Sequence, residues 1–401
     1  MDKNRFRYII IGAGLAGATA AEGIRERDRN GSVLLIGAED HLPYDRPPLA
    51  KKLWTGGRTV AQIALQDRSF YDRNDITLAL STRITGLDAG HKSLVDSQGR
   101  QYRYEKLLLA VGGSPQRLKI EGGGLEGVCY YRNLDDYLRL RAQAEPQRSA
   151  VIVGGGFIGS ELAASLSVNK VDVTMIFPSP YLCRRVFPEP LGRAVQTVFR
   201  ERGVNILAED TPVSISRSKG GFLTRTRSGH EIESDMVVAG IGIAPEVGLA
   251  QAAGLAVQDG VVVDEFLRTA RSDIYAAGDL ASFPCPALGR RLHIEHWDNA
   301  RAQGLCAGRN MAGGREPYDY LPYFFSDLFG LGYEAVGEVD ARLQTRSEWK
   351  KENDTGVVYY LRDGQVRGAM MCNVWNKIPA ARRLISSAEK VGSQDLAGVL
   401  R

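Results

Sequence analysis

The sequence predicts an α/β protein with two Rossmann-like βαβ units and a small α+β domain at its C-terminus. Two glycine-rich stretches, YIIIGAGLAG at 8–17 and VIVGGGFIGSE at 151–161, each join an apolar strand to a helix-like segment. A further apolar run follows each of them, SVLLIG after the first and VDVTMIF after the second. This is the βαβ pattern of a sheet that is buried on both faces. After residue 317 the pattern changes to antiparallel hairpins, the second of which turns at Asp363-Gly364, and a final helix.

Length and composition agree with a multidomain globular protein. The chain has 401 residues, of which 44% are hydrophobic and 24% charged, which allows two or three domains with cores of their own. The 51 basic and 47 acidic residues give a net charge of +4, too balanced to indicate nucleic acid or an anionic membrane as partner. Because no apolar run approaches the roughly 20 residues of a membrane span, and MDKNRFR leads directly into a strand, we expect no membrane span and a cytoplasmic protein.

The two glycine-rich stretches share one spacing, GxGxxG. They are formed by Gly12, Gly14 and Gly17 in the first unit and by Gly154, Gly156 and Gly159 in the second. Glycine permits the tight turn and lets a pyrophosphate approach the backbone N–H groups at the start of the helix. Either turn alone could serve strand–helix packing. Two of them indicate two different dinucleotides, and a flavin with a nicotinamide is the economical pair, since electron transfer needs a donor and an acceptor.

Acidic residues near the first unit favour FAD there. The strand after the first glycine turn ends in GAED, so Glu39 is the best candidate to bind a ribose hydroxyl, with Asp40 in reserve. The short strand DIYAAGD ends on Gly278 and Asp279, whose carboxylate could bind the ribityl chain. A solvated turn aspartate is the alternative for Asp279.

Taken together, these motifs resemble the two-dinucleotide-binding flavoproteins of the glutathione-reductase-like superfamily. PYDRPPLAK at 43–51 narrows the resemblance to the branch of ferredoxin, rubredoxin and putidaredoxin reductases and the apoptosis-inducing factor family. Four stretches look closest to the last of these: GGGFIGSELA, IFPSP, FFSDLFGLGYEAVGEVD and WNKIPAARRLI. The five cysteines include no CxxC pair, which excludes the disulfide-reducing branch, because that chemistry needs a dithiol.

The resemblance implies three domains and a reaction. An FAD-binding domain would comprise residues 1–115 and 241–316, an NAD(P)H-binding domain residues 116–240, and a C-terminal α+β domain residues 317–401. In such proteins FAD is bound non-covalently and is reduced by hydride transfer from NAD(P)H. Electrons then pass singly to a ferredoxin-type iron–sulfur protein, or to quinones and oxygen, and the protein is a monomer or homodimer.

The same resemblance implies a catalytic group of three residues. Lys51 matches a lysine near flavin N5 that pairs with a glutamate matching Glu161, and Phe157 matches an aromatic gate over the flavin. Each has a plainer explanation. Lys51 could face solvent on a helix, Glu161 could be an acidic residue in a first helical turn, where the macrodipole favours it, and Phe157 could pack helix against strand.

Further cofactor contacts follow from the resemblance. Arg46 would contact FAD phosphates, and Phe325 stands where many relatives have a tryptophan against the flavin or nicotinamide. Glu295, His296 and Trp297 precede a helix whose N-terminus would point at the flavin pyrimidine. A surface arginine and a structural histidine are the alternatives. The remaining glycines expected in cofactor-binding turns are Gly112, Gly242 and Gly278.

The sequence gives conflicting signals about the nicotinamide. NAD-using relatives often carry an acidic residue where this chain has Ser179, and Arg184 and Arg185 nearby could bind a 2′-phosphate. Arg185, however, resembles an arginine of NADH users. We therefore expect NADH, with NADPH as the alternative.

The expected function is that of an FAD-dependent NAD(P)H reductase serving a ferredoxin-type protein. A redox sensor or interaction flavoprotein like the apoptosis-inducing factor, forming a long-lived charge-transfer complex, is the second hypothesis. A direct NAD(P)H oxidase or quinone reductase is the third.

Overall fold

The computed structural model describes residues 4–392 and 395–400. Its strands are, in chain order, β1 Arg5–Ile11, β2 Val33–Ile36, β3 Ile76–Ala79, β4 Ile84–Asp88, β5 Ser93–Asp96, β6 Gln101–Leu109, β7 Gly113–Pro115, β8 Val128–Tyr130, β9 Ser149–Val153, β10 Asp172–Phe177, β11 Asn205–Ala208, β12 Pro212–Ser218, β13 Gly221–Thr226, β14 Glu231–Ser234, β15 Met236–Ala239, β16 Ile243–Pro245, β17 Val261–Val262, β18 Ile274–Ala276, β19 Ala281–Cys285, β20 Arg290–His293, β21 Tyr323–Leu328, β22 Leu331–Gly337, β23 Gln344–Lys351, β24 Thr355–Arg362 and β25 Gln365–Cys372.

The α-helices are α1 Leu15–Arg27, α2 Arg68–Arg73, α3 Leu134–Gln143, α4 Phe157–Val168, α5 Glu189–Glu201, α6 Gly248–Ala252, α7 Trp297–Met311 and α8 Ile378–Ser386. Short 3₁₀ helices span Pro47–Ala50, Val60–Ile63, Gly278–Leu280 and Pro286–Leu288. The chain forms two compact units. The first comprises the residues up to Asp45, Ala61–Ser114 and Pro245–Pro322, and the second comprises Arg46–Val60, Pro115–Ala244 and the residues from Tyr323 onward.

The first unit contains a seven-stranded sheet in the order β3-β2-β1-β6-β5-β4, with β18 also paired to β6. Strand β1 pairs in parallel with β2 and β6, with Ile9 opposite Leu34 and Leu107. All three side chains are buried, as expected for a parallel strand covered on both faces. Helices α1 and α7 pack so closely in this unit that a Cβ on Gly308 of α7 would lie only 2.1 Å from the carbonyl oxygen of Ala20 of α1. A three-stranded sheet, β17-β19-β20, completes the unit.

The second unit contains the repeat of the βαβ pattern and the C-terminal sheet. The parallel sheet β11-β10-β9-β15-β8 and the antiparallel sheet β12-β13-β14 share a core that includes Val151, Ile176 and Phe222. The last five strands form an antiparallel sheet in the order β21-β22-β25-β24-β23. Its predicted hairpin turn has positive φ at Asp363 (54°) and Gly364 (80°), the conformation that a tight two-residue turn requires.

The predicted fold class is confirmed: two Rossmann-like sheets and a C-terminal α+β region are all present. One predicted boundary is corrected, because the helix expected to follow Trp297 begins at that residue. Glu161 is the fifth residue of α4, so it lies beyond the first turn in which its plainer explanation would place it.

Candidate active site

The first glycine turn builds an open cradle at the start of α1. Gly12 has a φ of +112°, and a Cβ there would lie 2.2 Å from the carbonyl oxygen of Ala110. A Cβ on Gly17 would lie 1.9 Å from the carbonyl oxygen of Gly12. Gly14, the N-cap of α1, differs from both, because its Cβ would meet nothing within 4 Å. Two glycines therefore serve the turn itself, while the third leaves space beside the N-terminus of a helix.

The second turn repeats this arrangement at the start of α4. Gly154 has a φ of +120°, and its Cβ would lie 2.3 Å from the carbonyl oxygen of Gly240. A Cβ on Gly159 would lie 2.1 Å from the carbonyl oxygen of Gly154, whereas one on Gly156 would meet nothing within 4 Å. Neither α1 nor α4 has an acidic residue in its first turn, so no carboxylate there opposes a phosphate. Both cradles fit the pyrophosphate of a dinucleotide.

The other predicted residues of the first unit lie in turns at the strand ends. The carboxylate of Glu39 accepts a hydrogen bond from the Tyr44 hydroxyl at 2.5 Å. The carbonyl oxygen of Gly112, whose φ is +70°, accepts one from the backbone N–H of Glu246 at 2.9 Å. Gly278 has a φ of +76°, and a Cβ there would lie 3.0 Å from the Cβ of Ala16 in α1.

Residues 295–297 surround the N-terminus of α7. His296 is the N-cap of that helix, Glu295 is exposed, and the Trp297 indole N–H donates to Asp45 at 2.7 Å. Burial lowers the pKa of His296 to about 4, although the nearby charge of Asp279 and a backbone hydrogen bond at Glu295 oppose the shift. The imidazole is therefore neutral at physiological pH, and no positive charge on it adds to the helix terminus.

This shift predicts an acid-dependent loss of stability. Between pH 6.5 and about 4 the unfolded chain binds a proton at His296 that the folded protein does not, so the free energy of unfolding falls as the pH is lowered through that window. The full shift corresponds to about 3 kcal/mol, and we expect about 2 kcal/mol because the side chain keeps some solvent contact.

The His296→Gln variant should lack this part of the pH dependence. Urea unfolding of the FAD-loaded protein and the variant at pH 7 and pH 4.5 measures the difference. Equal losses of unfolding free energy in both proteins would contradict the assignment.

In the second unit the structure brings Lys51 and Glu161 together. Lys51 Nζ lies 2.9 Å from Glu161 Oε1, and the two side chains are only 15% and 7% exposed. The plainer explanation of Lys51 is wrong: it follows a 3₁₀ helix, and it is its neighbour Lys52 that faces solvent. The macrodipole explanation of Glu161 also fails, because the residue lies beyond the first turn of α4. A buried ion pair contributes little net stability, so stabilisation of the fold does not by itself explain why these two charged residues are buried together.

One aromatic ring contacts the ion pair, and two others pack against each other on neighbouring residues of the same elements. The Phe325 ring centroid lies 5.0 Å from Lys51 Nζ, within the range of a cation–π contact, and the residue is 38% exposed. Phe157, the first residue of α4, packs against Phe324 with ring centroids 5.4 Å apart. The Lys51 ammonium thus lies against one aromatic ring that is partly open to solvent.

Three further residues hold this group in place, and none of them was a predicted site residue, although Ser326 lies within the FFSDLFGLGYEAVGEVD stretch. The Ser326 hydroxyl donates a hydrogen bond to the Glu161 carboxylate. Ser165, one turn after Glu161 on α4, donates to the carbonyl oxygen of Ala50 at 2.7 Å. The Tyr131 hydroxyl donates to the carbonyl oxygen of Leu49 at 2.5 Å. Ser326 thus fixes the carboxylate of Glu161, while Ser165 and Tyr131 fix the backbone just before Lys51.

The remaining predicted residues of the second unit lie outside this group. The Ser179 hydroxyl donates to the carbonyl oxygen of Tyr181 at 2.9 Å, within its own loop. Arg185 is exposed, and its charge helps to lower the pKa of Asp340, after the larger effects of Arg342. Arg46 donates to the carbonyl oxygen of Arg132 at 2.9 Å. The carbonyl oxygen of Gly242 accepts from the backbone N–H of Gln116 at 2.9 Å.

Two Rossmann-like sheets, each with a glycine cradle at a helix N-terminus, define a protein that binds two dinucleotides. The comparison with protein families agrees. Residues 6–304 match the pyridine nucleotide-disulphide oxidoreductase family, and the chain belongs to that family. It is an NAD(P)H-dependent flavoprotein reductase, and its likeness to ferredoxin and rubredoxin reductases is confirmed. Residues 307–355 and 346–387 match the C-terminal domain of the mitochondrion-associated apoptosis-inducing factor.

Individual relatives cover nearly the whole chain. The ferredoxin–NAD(+) reductase component of the anthranilate 1,2-dioxygenase system of Burkholderia cepacia is 35% identical over 97% of this chain and 96% of its own. Apoptosis-inducing factor 1 of Dictyostelium discoideum is 33% identical over 96% of this chain and 79% of its own. Among solved structures, a covalent putidaredoxin reductase–putidaredoxin complex superposes with a TM-score of 0.91 at 28% identity, covering 97% of this chain and 95% of that one.

No helix within the described residues combines the length and apolar character needed to cross a membrane.

Proposed function

We propose that this protein takes electrons from NAD(P)H onto FAD and passes them singly to a ferredoxin-type iron–sulfur protein. The observation that carries the proposal is the position of Glu161. The helix that begins at the second glycine cradle also holds this carboxylate, which binds Lys51 in a buried ion pair. Nucleotide cradle and charged group are therefore parts of one rigid element. Similarity to a ferredoxin reductase over almost the whole chain supports the iron–sulfur acceptor.

The protein side chains have distinct roles in this proposal. The bound cofactors supply the redox chemistry, because a nicotinamide gives up two electrons at once and a flavin can pass them on one at a time. Lys51 provides a positive charge that stabilises negative charge on the reduced ring, and a fixed charge in a site of low polarity is more effective than one in water. Glu161 holds the Lys51 ammonium in place through the ion pair. Phe157 covers the site and excludes water.

We assign the cofactors to separate parts of the chain. The FAD-binding domain comprises residues 1–115 and 241–316, the NAD(P)H-binding domain comprises residues 116–240, and the C-terminal α+β domain, residues 317–401, contributes Phe325. The FAD contacts are Gly12, Gly14, Gly17, Glu39, Arg46, Lys51, Gly112, Gly278, Asp279, Glu295, His296, Trp297 and Phe325. The NAD(P)H contacts are Gly154, Gly156, Gly159, Ser179, Arg185 and Gly242.

We propose NADH as the preferred donor. The Ser179 hydroxyl is bonded within its own loop, and the charge of Arg185 is partly offset by Asp340. Both features weaken the attraction for a 2′-phosphate. The five cysteines are all free thiols, which supports a reducing compartment such as the cytoplasm.

The acceptor is tested by steady-state reduction of cytochrome c with NADH, with and without an added [2Fe–2S] ferredoxin. We expect the rate to rise at least tenfold with ferredoxin and to saturate as its concentration increases. A panel of ferredoxins and rubredoxins that gives no stimulation would overturn the proposed acceptor. Fast turnover with quinone or oxygen in the same assay would instead indicate a direct oxidase or quinone reductase.

A second function is supported by the C-terminal match to the apoptosis-inducing factor. In that case NADH would produce a long-lived charge-transfer complex and turnover would be incidental. Persistence of a long-wavelength absorbance band in air for minutes after NADH addition would favour this sensor role. Decay of the band within seconds would favour the reductase.

A further inference from the structure

Two consecutive residues of strand β21 contact the two halves of the buried ion pair. Phe325 lies against the Lys51 ammonium, while the Ser326 hydroxyl donates to Glu161 Oε1, the oxygen that also binds Lys51. Strand β21 is an edge strand of the C-terminal sheet. The contact therefore joins this sheet to helix α4, although 165 residues separate Ser326 from Glu161.

The surroundings of Ser326 make this hydrogen bond consequential. Ser326 is only 3% exposed, so water cannot easily replace its hydroxyl. Nearby, burial raises the pKa of the Tyr333 hydroxyl well above its usual range, the charge of Glu161 raises it further, and a hydrogen bond with Ser326 opposes the shift. In such a site a carboxylate that loses a hydrogen-bond donor is free to rotate or to recruit another partner.

We propose that Ser326 is a positioning residue for the Lys51–Glu161 pair, holding the carboxylate in the orientation that places the lysine ammonium for flavin reduction. The hydroxyl acts through Glu161 and has no contact of its own with the reacting atoms. The functional half of this inference rests on the proposed role of the ion pair. The structural half, that Ser326 controls the environment of Lys51, does not.

The structural half is tested by competitive acetylation of lysines in the FAD-loaded protein, followed by peptide mass spectrometry. Lys52 is exposed and serves as the internal reference beside Lys51. We expect the ratio of Lys51 to Lys52 labelling to rise about tenfold in Ser326→Ala, the scale of a lost hydrogen bond to a charged group. Ser326→Thr, which keeps the hydroxyl, should restore the wild-type ratio. An unchanged ratio in Ser326→Ala would overturn the proposal.

The functional half is tested by stopped-flow reduction of the flavin with NADH. Ser326→Ala should lower the limiting reduction rate about tenfold without changing the NADH concentration that gives half the maximal rate. In a protein that already carries Lys51→Met and Glu161→Gln, Ser326→Ala should have no further effect. An equal loss in both backgrounds would show that Ser326 acts independently of the pair and would refute the inference.

Ser326→Cys provides the same comparison with a side chain of similar volume and weak donor strength, should Ser326→Ala fail to fold. We expect it to behave as alanine does. If labelling changes as expected while the reduction rates do not, Ser326 positions the pair but the pair does not serve flavin reduction, and the proposed catalytic role of Lys51 and Glu161 fails separately.

Discussion

Replacing Lys51 with Met and Glu161 with Gln in one protein is expected to slow reduction of the bound flavin by NADH roughly 100- to 1000-fold, the usual cost of removing a preorganised electrostatic group. In the proposed mechanism the Lys51 cation stabilises negative charge on the reduced ring, and its carboxylate partner Glu161 lies 2.9 Å from it. Stopped-flow absorbance under anaerobic conditions measures the rate.

The double substitution matters because the pair is buried. Removing one partner leaves an unpaired charge and lowers the free energy of unfolding by about 3–5 kcal/mol, whereas replacing both with side chains of similar volume is often close to neutral. The double variant should therefore retain FAD and unfold near the wild-type temperature. Lys52→Met, a change at the exposed neighbour, is the matched control and should reduce at the wild-type rate. Wild-type kinetics in the double variant would refute the assigned role.

Gly156→Val is expected to weaken NADH binding about 100-fold while leaving FAD content and thermal stability unchanged. Gly156 has φ −88° and ψ −167°, an extended conformation open to any residue, and its Cβ would meet nothing within 4 Å of the protein. The new side chain therefore has room unless a pyrophosphate occupies the cradle. Displacing a phosphate from N–H donors costs about 1.5–3 kcal/mol for each hydrogen bond to a charged group.

Gly14→Val is the matched variant in the first unit. Gly14 has a φ of −86°, and a Cβ on it would likewise meet nothing within 4 Å. It should lose FAD and keep a folded chain. NADH affinity is read from the concentration dependence of flavin reduction, and FAD content from absorbance after gel filtration. If Gly156→Val binds NADH normally, or if it loses FAD instead, the assignment of the second cradle to the nicotinamide nucleotide is incorrect.

The sequence predicted the features that depend on local patterns. The two βαβ units, the Asp363-Gly364 hairpin and the GxGxxG turns follow from periodicity and from glycines that the backbone requires, as at Gly12 and Gly154. The resemblance pointed to Lys51 and Glu161 as partners, and the structure places their charged atoms in contact.

What the sequence could not predict depends on contacts between distant segments. Ser165 and Ser326 are ordinary serines until the fold brings one beside Ala50 and the other beside Glu161. The first-turn alternative for Glu161 is also excluded only by the structure, because α4 begins at Phe157 and a sequence does not mark the first residue of a helix to within one or two positions. These details determine how firmly the ion pair is held, and they follow from the folded chain and not from the spacing of residues along it.

The central claim, that NADH electrons pass through FAD to an iron–sulfur protein, is tested most directly by sequential-mixing stopped flow without oxygen. The protein is first mixed with NADH or NADPH and then with an oxidised [2Fe–2S] ferredoxin. We predict rapid bleaching of the flavin absorbance with NADH, slower bleaching with NADPH, and then recovery of the flavin band in step with bleaching of the ferredoxin. Flavin that bleaches with NADH but returns no electrons to any ferredoxin or rubredoxin would contradict the account.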